Sequence, residues 1–159
     1  MTTATATATL AVNAAFMQEI KDEHVRLQST LVELNELIHE HADRQIHPRR
    51  LTPLLSQLCD ALSLHFSLEE SFGYFDDALD VAPHLSQQAE ALRMEHTTLY
   101  ETLCDLVEQS EQLTYHETEG SLQNLIEQCA QFYQELDRHE SQENDLILRA
   151  FDEDLGVGD

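Results

Sequence analysis

Apolar residues in this chain recur at alternating steps of three and four in four separate runs, the period of helices that pack on other helices. The first run is Met17, Ile20, His24, Leu27, Leu31, Leu34 and Ile38, and the second is Leu51, Leu55, Leu58, Leu62, His65, Glu69 and Phe72. Leu85, Ala89, Leu92, His96, Leu99, Leu103 and Leu106 make the third, and Leu122, Leu125, Cys129, Phe132, Leu136, His139, Glu143 and Leu146 the fourth. With only 4 Gly, 3 Pro and no Trp in 159 residues, the composition leaves strands little to use. Breakers separate the runs: His47-Pro48 and Thr52-Pro53, then Gly73 to Pro83, then Thr114 to Gly120. Thr52 is the expected N-cap of the second helix, with Pro53 at its first position. Short connections make neighbouring helices antiparallel, so the expected fold is an all-α, up-down-up-down four-helix bundle over residues 12–152. Flexible tails are expected at 1–11, rich in Thr and Ala, and at 153–159.

Every seam carries polar residues where the period calls for Leu: His24, then His65 with Glu69, then His96, then His139 with Glu143. A buried ionised carboxylate without a partner costs several kcal/mol or takes up a proton. Bound cations remove that penalty, because carboxylates neutralise metal charge and imidazoles donate lone pairs. Residues four apart on a helix stack on one face, so His65/Glu69 and His139/Glu143 each aim an imidazole and a carboxylate at one point. A carboxylate so placed can bridge two ions. Mixed His and carboxylate ligation with open positions favours iron, while manganese and zinc also fit.

The chain repeats itself. Glu23-His24-x-x-Leu27-x-x-Thr30-Leu31-x-x-Leu34 matches Glu95-His96-x-x-Leu99-x-x-Thr102-Leu103-x-x-Leu106. His24 to His65 spans 41 residues and His96 to His139 spans 43. Two similar helical hairpins would thus build a pseudo-two-fold site for two ions.

The order His, His-x-x-x-Glu, His, His-x-x-x-Glu resembles the hemerythrin-like (HHE cation-binding) domains. So do the wordings Glu23-His24, Glu95-His96, His65-Phe66-Ser67-Leu68-Glu69-Glu70, and His139 to Glu143 followed by Asp145-Leu146-Ile147-Leu148. The resemblance implies a hemerythrin-like bundle holding two non-haem iron ions with a bridging oxo or hydroxo group, and Glu69 and Glu143 as bridging carboxylates. Two positions depart from the oxygen-carrying pattern. Tyr100 stands where those proteins have a second His one turn after the third-helix His, and Glu143 lies four rather than five residues after its His, the fifth being Asn144. Tyr100 and Tyr74 are therefore candidates for an extra ligand or for supporting the ligands. A ferritin-like site needs two Glu-x-x-His motifs, and Glu36 to His39 is the only one on a helix. His39, His41, His47, His84 and His116 are expected to be solvated surface residues.

A formal charge of -23, from 31 acidic and 8 basic residues, disfavours nucleic acid and anionic membrane as partners. Cys59, Cys104 and Cys129 form no Cys-x-x-Cys pair, so neither a zinc ribbon nor a redox motif is expected, and they are expected as small buried apolar residues in a reducing compartment. No signal peptide or membrane span is apparent, so a cytoplasmic location is expected. The expected small ligand is O2, NO or peroxide, with no protein partner indicated. A sensor, carrier or buffer of O2 or NO comes first, an enzyme acting on peroxide or nitric oxide second, and an iron-homeostasis protein third. No catalytic residue is assigned.

Overall fold

The computed structural model describes residues 3–71, 73 and 75–157, with side chains described from 18 to 153 within those ranges. The tails expected at 1–11 and 153–159 lie outside the residues with described side chains, apart from Glu153, and Phe72 and Tyr74 lie outside the described residues altogether. The described chain is helical and contains no strand: α1 (Thr3–Asp43), α2 (Leu51–Ser71), a short α3 (Asp76–Val81), α4 (Ser86–Tyr115) and α5 (Ser121–Val157), with 3-10 turns at Pro48–Arg50 and Pro83–Leu85. The four long helices pack in a ring, α1 on α2, α2 on α4, α4 on α5 and α5 on α1.

The second helix starts differently from the expectation. The 3-10 turn is capped by His47, whose Nδ1 accepts from the Arg49 amide, and α2 follows at Leu51. Thr52, the expected cap, instead donates from Oγ1 to Ser110 Oγ on α4 (3.0 Å). Pro53 is tolerated because an amide in the first turn has no intrahelical acceptor. After α2 the chain reverses at Gly73, whose φ of +62° suits glycine, and a Cβ there would run into the Asp76 carboxylate. Between α4 and α5, Ser121 Oγ donates to the Thr118 carbonyl (2.6 Å) and accepts from its amide (3.2 Å).

Among the described residues the apolar interior is in two pieces. The larger runs from Leu27 through Leu62, Phe66 and Leu103 to Leu136, and draws on all four long helices. The smaller joins Phe75, Ala78, Ala82, Leu85, Ala89 and Leu92 to Leu146 and Ala150. Along α4 and α5, His96, His139 and Glu143 fall between the two, so the polar seam residues form a layer with apolar packing on either side. Among the described residues, α1 contributes nothing to the smaller piece.

Candidate metal centre

Helical spacing builds this layer. On α2, His65 and Glu69 are one turn apart and both buried, with His65 Nε2 2.9 Å from Glu69 Oε1. On α5, His139 and Glu143 repeat the arrangement, with Nε2 3.1 Å from Glu143 Oε1. His96, from α4, places its Nε2 3.2 Å from that same Glu143 oxygen. Two clusters result. His24, His65 and Glu140 bring one ligand atom each within 4.8 Å of one another, and so do His96, His139 and Glu143. Glu69 reaches toward both: while Oε1 meets His65, Oε2 lies 3.5 Å from His96 Nε2. All six seam residues named from the sequence are therefore brought together. Glu143 faces His96 and His139 of its own cluster, and Glu69 is the carboxylate that spans the gap.

The clusters differ in shelter. Every member of the second is buried, whereas His24 is exposed and Glu140 half-buried. His24 was expected in the seam. It lies beside buried Glu23, and among the described residues the smaller apolar cluster beyond it is assembled from α3, α4, α5 and their connections, with no member from α1.

Carboxylates outside the clusters orient the rings of the second. Glu70 Oε1 lies 3.0 Å from His96 Nδ1, and Glu95 Oε2 lies 3.0 Å from His139 Nδ1. Each pair keeps a proton on Nδ1, so the neutral ring would present its Nε2 lone pair inward once the Nε2 proton is displaced. Phe66 stacks on His96 at 3.9 Å between centroids with 7° between planes, and meets His139 edge-on at 5.8 Å. His24 and His65 lie 5.7 Å apart by ring centroids.

Charge and burial oppose each other here. Burial alone would lower the His65 pKa, but the Glu69 hydrogen bond and the charges of Glu69, Glu140 and Glu143 outweigh it and the pKa is raised. His139 is likewise pulled down by burial and raised on balance by Glu143 and Glu95. Burial pushes Glu143 up, yet the His139 and His96 imidazoles beside its carboxylate leave it lowered. Glu140 is raised, because burial exceeds the pull of His65, His24 and Gln28.

These compensations are incomplete. Among the described residues, the buried side-chain atoms with no hydrogen-bond partner are Glu23 Oε2, His65 Nδ1, Glu69 Oε2, His139 Nε2 and Glu140 Oε1. Three of them, on Glu69, His139 and Glu140, belong to the inward-facing layer. Leaving each one unsatisfied costs about 1–3 kcal/mol. A cation accepts lone pairs from all of these atoms, so the donor set fits metal. A narrow cleft lined by Glu69, Glu70, Gly73, Phe75, Arg93 and His96 reaches the second cluster, with room for about one water-sized molecule.

Sequence reasoning missed Glu140 because it followed only the His-x-x-x-Glu step. The available signal was its place four residues after core Leu136 and three before Glu143. Tyr100 is brought to neither cluster. It is 38% exposed and its hydroxyl lies near Cys59 and Cys104 instead. His41, expected at the surface, is buried: its Nε2 pairs with Gln123 Oε1 (2.8 Å), tying α1 to α5, while Nδ1 accepts from the Ile46 amide. His39, His47, His84 and His116 are exposed. No helix among the described residues is long and apolar enough to cross a membrane.

The family model for the hemerythrin HHE cation-binding domain matches residues 16–151. Comparison with curated proteins and with solved structures gives no match.

Proposed function

The chain belongs to the hemerythrin HHE cation-binding domain family, and on that premise we propose that it is a non-haem di-iron protein that binds O2 or NO as a sensor, carrier or buffer. The observation that carries this reading is the pair of His/Glu clusters with Glu69 reaching between them. His24, His65 and Glu140 would hold one ion, His96, His139 and Glu143 the other, and Glu69 would touch both. Manganese or zinc would suit the same donors. We further assign the four long helices an up-down-up-down order, which the short connections at 44–50 and 116–120 support.

When bound, two ferrous ions supply electrons and open coordination positions for a diatomic ligand. The chain does the rest. Glu70 and Glu95 keep the protons of His96 and His139 on Nδ1, so both Nε2 atoms stay available. Phe66 and the two apolar clusters exclude water from the buried side, and the cleft at Glu69 and His96 has room there for only a very small molecule. That small space beside the buried cluster suits a diatomic gas better than an organic substrate.

Metal analysis together with anaerobic and aerated absorption spectra tests this. About two irons per chain are expected, with a visible band that appears on adding O2 or NO and disappears when the gas is removed. One-way oxidation with no reversible band would reject the binding role. The enzyme reading shares the site and predicts peroxide or nitric oxide turnover that Glu69→Ala abolishes; turnover no faster than free iron excludes it.

A further inference from the structure

Two cysteines far apart in sequence meet at the α2–α4 interface. Cys59 and Cys104 place their Sγ atoms 3.5 Å apart; both are free and half-buried, while Cys129 is enclosed in the larger apolar cluster. The expectation of three separate apolar fillers therefore holds only for Cys129, whose thiol burial pushes up to about 12. Tyr100 lies one turn before Cys104 on the partly exposed face of α4, and its hydroxyl lies near both thiols. A disulfide needs its sulfurs about 2.05 Å apart, so closing this gap takes an approach of roughly 1.5 Å. Side-chain rotation with a small shift of the packed helices would supply that.

We propose that Cys59 and Cys104 form a peroxide-sensitive dithiol that closes into a disulfide linking α2 to α4. One sulfur attacks a peroxide oxygen, the O–O bond breaks, and the departing hydroxide leaves as water with that thiol's proton. The second sulfur attacks the resulting sulfenic acid, the S–O bond breaks, and a second water leaves with the second thiol's proton. Two thiols and one hydrogen peroxide thus give one disulfide and two waters, the sulfurs losing two electrons and the peroxide gaining them. The Tyr100 hydroxyl, beside both sulfurs, is placed to donate to the departing oxygen.

Burial and the Cys104 contact hold the Cys59 thiol up at about 11, which keeps thiolate scarce at neutral pH. The pair therefore suits a slow response to sustained oxidant rather than rapid scavenging. Its position matters for the centre above it. Cys59 lies six residues before His65, and Cys104 eight after His96, so a bond there would fix the spacing of the helices that present Glu69 and His96.

Closure of the dithiol does not depend on metal, and it is tested on the whole 159-residue chain with a chelator present. After hydrogen peroxide treatment, thiol titration should fall from three to one, and intact mass by two hydrogens. Peptide mapping should recover a Cys59–Cys104 link that a reductant reverses. Cys129→Ser should still form it, and Cys59→Ser and Cys104→Ser should not. The oxidised protein should melt about 5 °C or more above the reduced one, since the bond closes a long loop. Three titratable thiols remaining under peroxide that fully oxidises glutathione would overturn the proposal. So would a link through Cys129, or a Cys59–Cys104 link that leaves Tm unchanged or lower.

Discussion

Glu70 and Glu95 touch no ligand atom that points inward, yet they set where two of the imidazoles aim. Each sits 3.0 Å from an Nδ1, and Glu95 also pairs with Arg138 at 3.3 Å. Replacing Glu95 with Gln keeps the shape and removes the charge that holds the His139 proton. Iron affinity should fall by about 10- to 100-fold, read by competition with a coloured chelator. An unchanged affinity would show that the His139 orientation is set by packing alone. The main ligand candidates were legible because imidazole and carboxylate interrupt a regular apolar step. Glu140 and His41 were not, for different reasons. Glu140 flanks the seam, where a helix exposes or buries a residue according to how its neighbour sits. His41 lies three residues after Ile38 on the inward face, but its burial depends on α5 supplying Gln123. Tyr100 carried a real signal of position, one turn past His96, but helical rotation takes that place toward α2 and the thiols.

At the level of elements, the connection between α2 and α4 does more than join them. It folds into α3 and a 3-10 turn whose Phe75, Ala78, Ala82 and Leu85 cover the outer side of the metal layer together with Leu92, Leu146 and Ala150. Leu146 is fully buried there. Truncating it in Leu146→Ala should cost about 2–5 kcal/mol of stability, measured by urea unfolding. The same variant should release bound iron to chelator faster than wild type, because the cover is loosened. A loss below about 1 kcal/mol would mean that the cover does not pack as described. The long helices could be read from the period alone, since each repeats its step over many turns. The connection could not: Gly73, Asp76, Asp77 and Pro83 read as breakers, and a helix of six residues has too few turns to show a period.

For the whole molecule, stability and metal loading should respond to pH in opposite directions. In the metal-free protein the raised pKa values of His65 and His139 give stability that is complete below the ordinary imidazole value of 6.5 and drains away as pH rises through the folded values. The lowered Glu143 pKa gives stability present above 4.5 and lost as pH falls through its folded value. Glu140 is raised, so its ionisation costs stability increasingly above 4.5. Metal-free protein should therefore be most stable between 4.5 and 6.5, and its Tm should drop from about pH 6 to about pH 8. Salt near 0.5 M in that scan screens the general repulsion of the surface charge. Added metal must displace the imidazole protons, so the rise in Tm that it produces should grow over the same interval. A metal-free Tm that climbs toward pH 8 would contradict the assignment of these charges.

The unequal enclosure of the two clusters gives the centre a vestibule and a vault. An ion beside His24 would have water at its edge, while one beside His139 would be walled in by side chains with no exposed member. Loss of iron to an excess of chelator should then run in two stages, with a half-empty protein accumulating between them, and His24→Ala should hasten the early stage while leaving the late one in place. A single uniform decay in stopped-flow absorbance would mean that both ions leave by the same door.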